Sequence, residues 1–173
     1  MTGDQTPTGH RVDFTVTVRN QFTVDSPAEI TVEFTNEAPS TRTFQFTPVA
    51  PFTPTEVRHV ERGAELQFVP QQSGGATDSV SVVDADDDGE FDPVPTTPTD
   101  GCWSAADEIV FTDHFTAVQL GPCERVSQTY SVVGHPSNDG CFPSGTYRTE
   151  STWYVGDAED EKTWGFTVTI EGE

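Results

Sequence analysis

Residues 11–19 read Arg-Val-Asp-Phe-Thr-Val-Thr-Val-Arg, with Val12, Phe14, Val16 and Val18 alternating against Asp13, Thr15 and Thr17. An apolar side chain at every second position suits a strand with one face on a core and the other in water. The same period recurs outward along the chain. Ile30, Val32 and Phe34 alternate with Thr31, Glu33 and Thr35; Phe44 and Phe46, Leu66 and Phe68, and Val80 and Val82 follow. Segments 109–111 and 115–120 are shorter and less regular. Val126, Gln128, Tyr130 and Val132 form a further stripe, as do Tyr147, Thr149, Ser151, Trp153 and Val155. Trp164, Phe166, Val168 and Ile170 close the series opposite Thr167 and Thr169.

Composition agrees with that reading. The chain holds 20 Val, 12 Phe and 26 Thr, but only two Leu and one Met. Val, Thr and the aromatics fit a pleated, half-buried surface, whereas helix cores draw on Leu, Met and Ala. Thirteen Pro and 14 Gly supply chain reversals. About nine strands, with no amphipathic helix of ten residues between them, predict an all-β, antiparallel sandwich. A small closed barrel shares the pattern and is the alternative. At 173 residues the chain fits a single domain, large enough to bury roughly 70% of its unfolded surface.

Twenty-nine acidic residues face eight basic ones, a net charge of −21, and Lys162 is the only lysine. Such a surface repels itself in dilute buffer. Near 1 M salt the Debye length falls to ~3 Å and the repulsion is largely screened. The chain thus resembles proteins of extreme halophiles, haloarchaea above all. The same charge excludes nucleic acid as a partner, since phosphates would be repelled.

Three stretches break the strand rhythm. Residues 1–10 are polar and predict a disordered tether, leaving 11–173 as the domain. Residues 84–101 (DADDDGEFDPVPTTPTDG) form a long acidic, then Pro/Thr-rich loop, and 156–162 a charged hairpin tip. Residues 1–25 contain no apolar run of seven, so neither a signal peptide nor a membrane span is read there. The tether nevertheless resembles the spacer that follows the lipidated cysteine of haloarchaeal lipoproteins. That resemblance implies the soluble part of a surface-anchored protein, with membrane contact only through an anchor upstream. Taken without the resemblance, the chain reads as cytoplasmic.

Residues 101–133 (GCWSAADEIVFTDHFTAVQLGPCERVSQTYSVV), followed by FPSGTYR at 142–148, carry a family resemblance. Trp103-Ser104, the turn Leu120 to Glu124, and Pro143 to Tyr147 match in order the intracellular proteinase inhibitor (BsuPI-type) family. Ala28–Asn36 and Thr43–Phe46 fit its paired N-terminal strands. The resemblance implies an immunoglobulin-like sandwich and, as an alternative function, proteinase inhibition. The turn departs from the family's Pro-Gly in reading Gly-Pro-Cys, and the 84–101 loop is extra.

Cys102, Cys123 and Cys141 each adjoin a Gly or Pro. Without a CxxC or a nearby histidine pair they do not form a zinc motif. Chain entropy favours no pair, because all three loops are worth roughly 3–4 kcal/mol. Related domains usually have glycine where Cys123 stands, and Cys102 and Cys141 each open a strand-bearing segment. The expected bridge in an oxidising compartment is Cys102–Cys141, with Cys123 free.

One motif carries chemistry. Asp84, Asp86 and Asp88 fall at positions 1, 3 and 5 of an EF-hand-like loop, Gly89 at 6 and Asp92 at 9. Calcium is the ion such a loop would take, through Asp84, Asp86, Asp88 and Asp92. The twelfth position is Pro95, so the bidentate glutamate is missing, and a run of Asp in so acidic a chain also reads as a solvated loop. No catalytic site and no cofactor are read from the sequence. Ser104 with Asp113-His114 lacks a nucleophile elbow, His135 in Gly-His-Pro reads as a turn residue, and His10 and His59 have no partner in sequence. Trp103, Trp153 and Trp164 read most simply as core; Trp153 and Tyr154 point to opposite faces, and whichever of the two were exposed would be a candidate for sugar or protein contact. The expected function is a non-catalytic binding or structural module of a halophilic cell surface, engaging a protein or surface polymer.

Overall fold

A computed structural model of the chain describes residues 1–6, 9–71, 79–157 and 160–172. Among these, β1 (Thr2–Gly3), β2 (Val12–Asn20), β3 (Ala28–Asn36) and β4 (Arg42–Phe46) come first. β5 (Val57–His59), β6 (Glu65–Pro70), β7 (Val80–Val83) and β8 (Glu108–Phe111) follow. β9 (Thr116–Leu120), β10 (Arg125–Gly134), β11 (Gly145–Val155) and β12 (Lys162–Ile170) complete the chain.

Ten strands form one antiparallel sheet in the order β1-β12-β11-β5-β6-β10-β3-β2, with β4 on β11 and β9 on β4. β7 and β8 make a separate two-stranded ribbon. The side of β11 away from β12 is shared: Tyr147 and Arg148 pair with β5, and Trp153 to Val155 pair with β4. The sheet forks there and folds back on itself, so β2 and β3 face β4, β11 and β12. Phe34 meets Phe44, Phe46 and Trp153 edge-on at 4.7, 5.3 and 5.4 Å. Phe14 stacks on Trp164 at 4.4 Å. This is the predicted all-β, antiparallel, sandwich-like fold, with the sheet nearly closed.

The alternating stripes build its core. Phe34, Phe44, Tyr130, Trp153 and Phe166 are all buried, and full burial of one such side chain is worth about 1.5–3 kcal/mol. Val16 and Val126, at strand positions nearer the rim, are only partly buried against the same cluster. A second cluster joins Val69, Trp103, Ala105, Ile109 and Val133. It lies beneath the ribbon and seats the long loop described below.

Two sequence expectations need correction. Strands β1 and β5 have two and three residues, too few to show a period, and so escape a count based on alternation. Residues 1–6 do not hang free as a tether. Thr2 and Gly3 pair with Thr167 and Phe166, Trp164 Nε1 donates to Asp4 O at 3.1 Å, and Arg148 Nη1 donates to Asp4 Oδ1 at 2.7 Å. A free edge of β12 and a cation beside Asp4 hold the segment down. Pro7 and Thr8 of the expected tether, and residues 158–159 of the hairpin tip, lie outside the described residues.

Candidate functional site

The loop 84–101 leaves the ribbon at β7 and returns to β8, and its backbone is ordered by its own carboxylates. Asp84 Oδ2 accepts from Gly89 N at 2.8 Å and Oδ1 from Asp88 N at 3.2 Å. Asp88 Oδ1 accepts from Glu90 N at 2.8 Å. Gly89 sits at φ 83° and closes the turn where a side chain would strain it. The effect is to bring Asp84, Asp86 and Asp88 together, each offering an oxygen within 4.8 Å of the others. Asp92, named with them from the sequence, is not part of that group. Loss of hydration in the turn, with the Asp88 and Asp107 carboxylates nearby, holds the Asp86 carboxyl above its usual range.

The loop is fastened from below by a residue that sequence reasoning did not single out. Asp107 is 2% exposed. Its Oδ1 accepts from Ala85 N at 3.0 Å and its Oδ2 from Asp92 N at 2.7 Å. Gln67 locks the same corner, donating from Nε2 to Asp107 O at 3.0 Å and accepting at Oε1 from Ile109 N at 2.9 Å. In Ser-Ala-Ala-Asp-Glu-Ile-Val, Asp107 looks like any polar residue before a strand, and only the tertiary contact distinguishes it.

At its far end the loop turns on Asp100-Gly101. Both residues have positive φ, 51° and 79°, and Thr99 and Cys102 exchange two 2.9 Å backbone hydrogen bonds. That is a two-residue turn in which Asp-Gly is the favoured pair. Cys102 is bonded to Cys141 with 5.7 Å between Cα atoms, tying the turn to the β10–β11 connection, and Cys123 is free and exposed. Next to the bridge, Trp103 Nε1 donates to Thr23 O at 2.7 Å. The loop is therefore pinned at 85, 92 and 102, and between the first two pins Phe91 points outward, 60% exposed.

Other sequence candidates are occupied elsewhere. The hydroxyl of Ser104 lies 3.2 Å from Cys102 Sγ. His114 Nδ1 is 2.7 Å from Thr112 Oγ1, so Ser104 is not its partner there. His59 is buried and accepts at Nδ1 from Glu61 N and Arg62 N, both at 3.1 Å. His135 Nδ1 engages Ser137 Oγ at 2.7 Å, and Nε2 lies 3.5 Å from Glu108. His10 packs edge-on to Trp153. Neither aromatic at 153–154 is exposed, and Trp153 is in the core as its sequence reading has it. Trp153 faces the core, and Tyr154 is held down by a 2.8 Å bond from its hydroxyl to Glu161 and by Phe115. The exposed aromatics are Phe91 and Phe115.

Compared with known protein families and with curated proteins, the chain matches none.

Proposed function

We propose that this domain is a non-catalytic binding or structural module of a halophilic archaeal cell surface, engaging a protein or surface polymer. The observation that carries the reading is the presentation of the 84–101 loop. A long exposed excursion is held by a buried carboxylate, a disulfide and a buried tryptophan, so little entropy remains to be lost when a partner docks. Those anchors cost a core position for Asp107, which a solvated ornament would not need. The Cys102–Cys141 bridge suits an oxidising compartment. The acidic excess suits high salt, with six carboxylates paired to the four cations Arg58, Arg125, Arg148 and Lys162 among the described residues. The turn of Asp84, Asp86 and Asp88 is where the module would hold calcium.

The test is deletion of residues 85–99 followed by affinity capture at about 2 M KCl, a salt level that screens the surface charge. The shortened protein should keep its fold and lose the partner that the full chain retains. A partner retained in full would move recognition to the sheets.

One observation favours proteinase inhibition as a second reading, in line with the BsuPI-type resemblance. Phe91 is exposed between two residues whose backbone N–H groups are both fixed, Glu90 by Asp88 and Asp92 by Asp107. An aromatic side chain on a fixed loop fits a protease pocket that takes aromatic residues. Inhibition of a chymotrypsin-like protease that vanishes in Phe91→Ala would select this reading, and no inhibition by the intact protein would reject it.

A further inference from the structure

β11 changes partners along the side away from β12, and the change leaves a pocket. Pairing with β5 ends at Arg148, and pairing with β4 begins at Trp153. Between them Glu150 has no strand opposite it among the described residues. Its main chain nevertheless points there. On β12 its neighbour is Gly165, whose carbonyl is turned the other way to accept from Asp4 N at 2.9 Å. A pair so placed shares no hydrogen bonds, so Glu150 turns its N–H and C=O into the fork. Thr146, on the same alternation, also turns that way and meets Val60 N at 2.9 Å. Among the described residues no protein group meets Glu150 there.

Hydroxyls wall the fork. A cavity of about 250 Å³ opens there, with Thr47, Thr55, Ser151, Thr152 and Thr163 set around Glu150. Thr53, also in the lining, belongs to a segment that is fixed in place. Its hydroxyl bridges Val49 N at 2.9 Å and Val49 O at 3.2 Å, its N–H donates to Ser151 Oγ at 3.1 Å, and the Tyr130 hydroxyl donates to Phe52 O. Thr47 Oγ1 and Thr152 Oγ1 lie 3.3 Å apart. No aromatic ring and no cation stand among the lining residues. The Glu150 carboxylate is drawn aside to Arg148 at 2.7 Å, across the space that Gly165 leaves by having no side chain. The interior is therefore uncharged, holds donors and acceptors side by side, and is already shaped, so an occupant loses little freedom in ordering it.

We propose that this pocket binds one uncharged sugar ring, held through two adjacent hydroxyls, at the end of a surface glycan. In a strand the N–H and C=O of one residue face the same neighbour. A hydroxyl both donates and accepts, so one of an adjacent pair accepts from Glu150 N while the other donates to Glu150 O. The Ser and Thr hydroxyls meet the rest of the ring in the same two-way fashion. An apolar occupant would leave the Glu150 main chain unpaired, and one free residue is too short to seat an extended peptide. Glu150 at the rim, in a chain of charge −21, repels a carboxylated or sulfated sugar. A volume below the ~300 Å³ at which sites for larger ligands begin suits a single ring. The inference rests on the module reading and gives its surface polymer a chemistry, and it uses none of the residues of the acidic loop.

The probes are the methyl α-glycosides of D-glucose, D-mannose and D-galactose, which stand in for a chain end, and the three free sugars. Each is titrated into the full chain at about 1 M KCl and followed by amide chemical shifts. Saturable shifts at Glu150, Ser151 and Thr163 with at least one glycoside, half-saturated at or below about 10 mM, are expected. D-Glucuronate should produce none. Thr163→Tyr places a ring over the pocket from an exposed strand position that suits an aromatic residue, and should abolish the shifts with the Tm unchanged. Thr55→Val removes one exposed hydroxyl and should raise the half-saturation point by about threefold to tenfold. No saturable shift to about 50 mM with any of the six sugars, equal shifts from glucuronate, or shifts that survive both substitutions would overturn the proposal. Binding of a free sugar whose glycoside does not bind would overturn the glycan end and leave a soluble sugar as the occupant. Absent shifts with capture through the 85–99 loop intact sink this inference alone, and lost capture with the shifts intact sinks the loop reading alone.

Discussion

Asp107 Oδ2 accepts a 2.7 Å hydrogen bond from the backbone N–H of Asp92, while its other oxygen takes Ala85 N at 3.0 Å. One buried carboxylate thus clamps both ends of the acidic turn. Hydrogen bonds to a charged acceptor are worth about 1.5–3 kcal/mol each when the partner is left unmet, less where water reaches the freed donor. Asp107→Ala should therefore cost about 2–3 kcal/mol by denaturant unfolding, and hydrogen exchange at Ala85 and Asp92 should quicken far more than at Tyr130. Asp107→Asn, which keeps one acceptor, should fall between the two.

Asp4 and Arg148 give a pH signature of opposite sign to the bulk of the surface. A side-chain hydrogen bond from Arg148, reinforced by its charge, holds the Asp4 carboxyl below its usual range. A carboxylate depressed in the folded state stabilises above its unfolded pKa of about 3.8, and that contribution disappears as pH falls through the folded value. Both partners are partly exposed, so the pair is worth at most ~1 kcal/mol. Asp4→Asn should lower the Tm at pH 7, and the gap between variant and wild type should close below about pH 3. A gap that stays constant to pH 2 would mean the variant acts through packing of β1 instead.

The net charge as a whole should act in the reverse way. With a net charge of −21, repulsion is unscreened when the Debye length reaches ~10 Å at 0.1 M salt. Moving from about 2 M to 0.1 M KCl should lower the Tm by about 5–10 °C, roughly 2–3 kcal/mol for a chain of this length. Acidifying toward pH 4 at low salt should recover part of it, because protonation removes negative charge faster than it breaks the few ion pairs. Coincident melting curves in the two salts would show that charge is not the limiting quantity.

Period-two alternation found the long strands because Phe14, Phe34, Tyr130 and Phe166 each stand in a row of alternate residues turned onto the core, which leaves a mark on every second residue. It could not find β1 and β5, where two or three residues carry no period and pairing is decided by the neighbouring edge. Nor could it tell Trp153 from Tyr154: both are covered, one by the core and one by Phe115 and the Glu161 bond. The Asp84-Asp86-Asp88 spacing was legible because a turn acts locally. Asp107 and Gln67 were not, since their roles depend on contacts across 15 to 42 residues of chain.

Asp86 provides a test of the calcium reading that does not need a known affinity. Its carboxyl is disfavoured as an anion by lost hydration and by Asp88 and Asp107. A carboxylate raised in the folded state destabilises at neutral pH, and the loss is relieved as pH falls through its folded pKa. In calcium-free buffer at high KCl, Asp86→Asn should therefore melt slightly above wild type. Millimolar calcium should raise the wild-type Tm and leave the variant unmoved, because a bound cation stabilises only the state that holds it. Calorimetry under the same conditions should give saturable heat for wild type alone. Equal responses of the two proteins would reduce the turn to solvated surface.

Cys123 is exposed and adopts φ 60° in the turn Gly121-Pro122-Cys123-Glu124, a conformation that disfavours any residue with a Cβ. The turn is nonetheless firmly made. Cys123 N donates to Asn36 O at 2.8 Å, Asn36 N donates to Glu124 O at 2.9 Å, and the Asn36 side-chain amide reaches Leu120 O at 2.9 Å. Native contacts thus impose the strained φ, and the thiol itself contributes nothing to them. Replacing it with glycine removes a backbone penalty of roughly 1–2 kcal/mol but adds freedom to the unfolded chain, worth up to about 1 kcal/mol in the other direction. Cys123→Gly should come out stabilising by about 0.5–1 kcal/mol in denaturant melts, with the Asn36 amide as protected from exchange as in wild type. It should also abolish thiol labelling of the native protein, since Cys102 and Cys141 are bonded to each other. A loss of stability greater than about 1 kcal/mol would mean that the Cβ packs against the turn and offsets the strain.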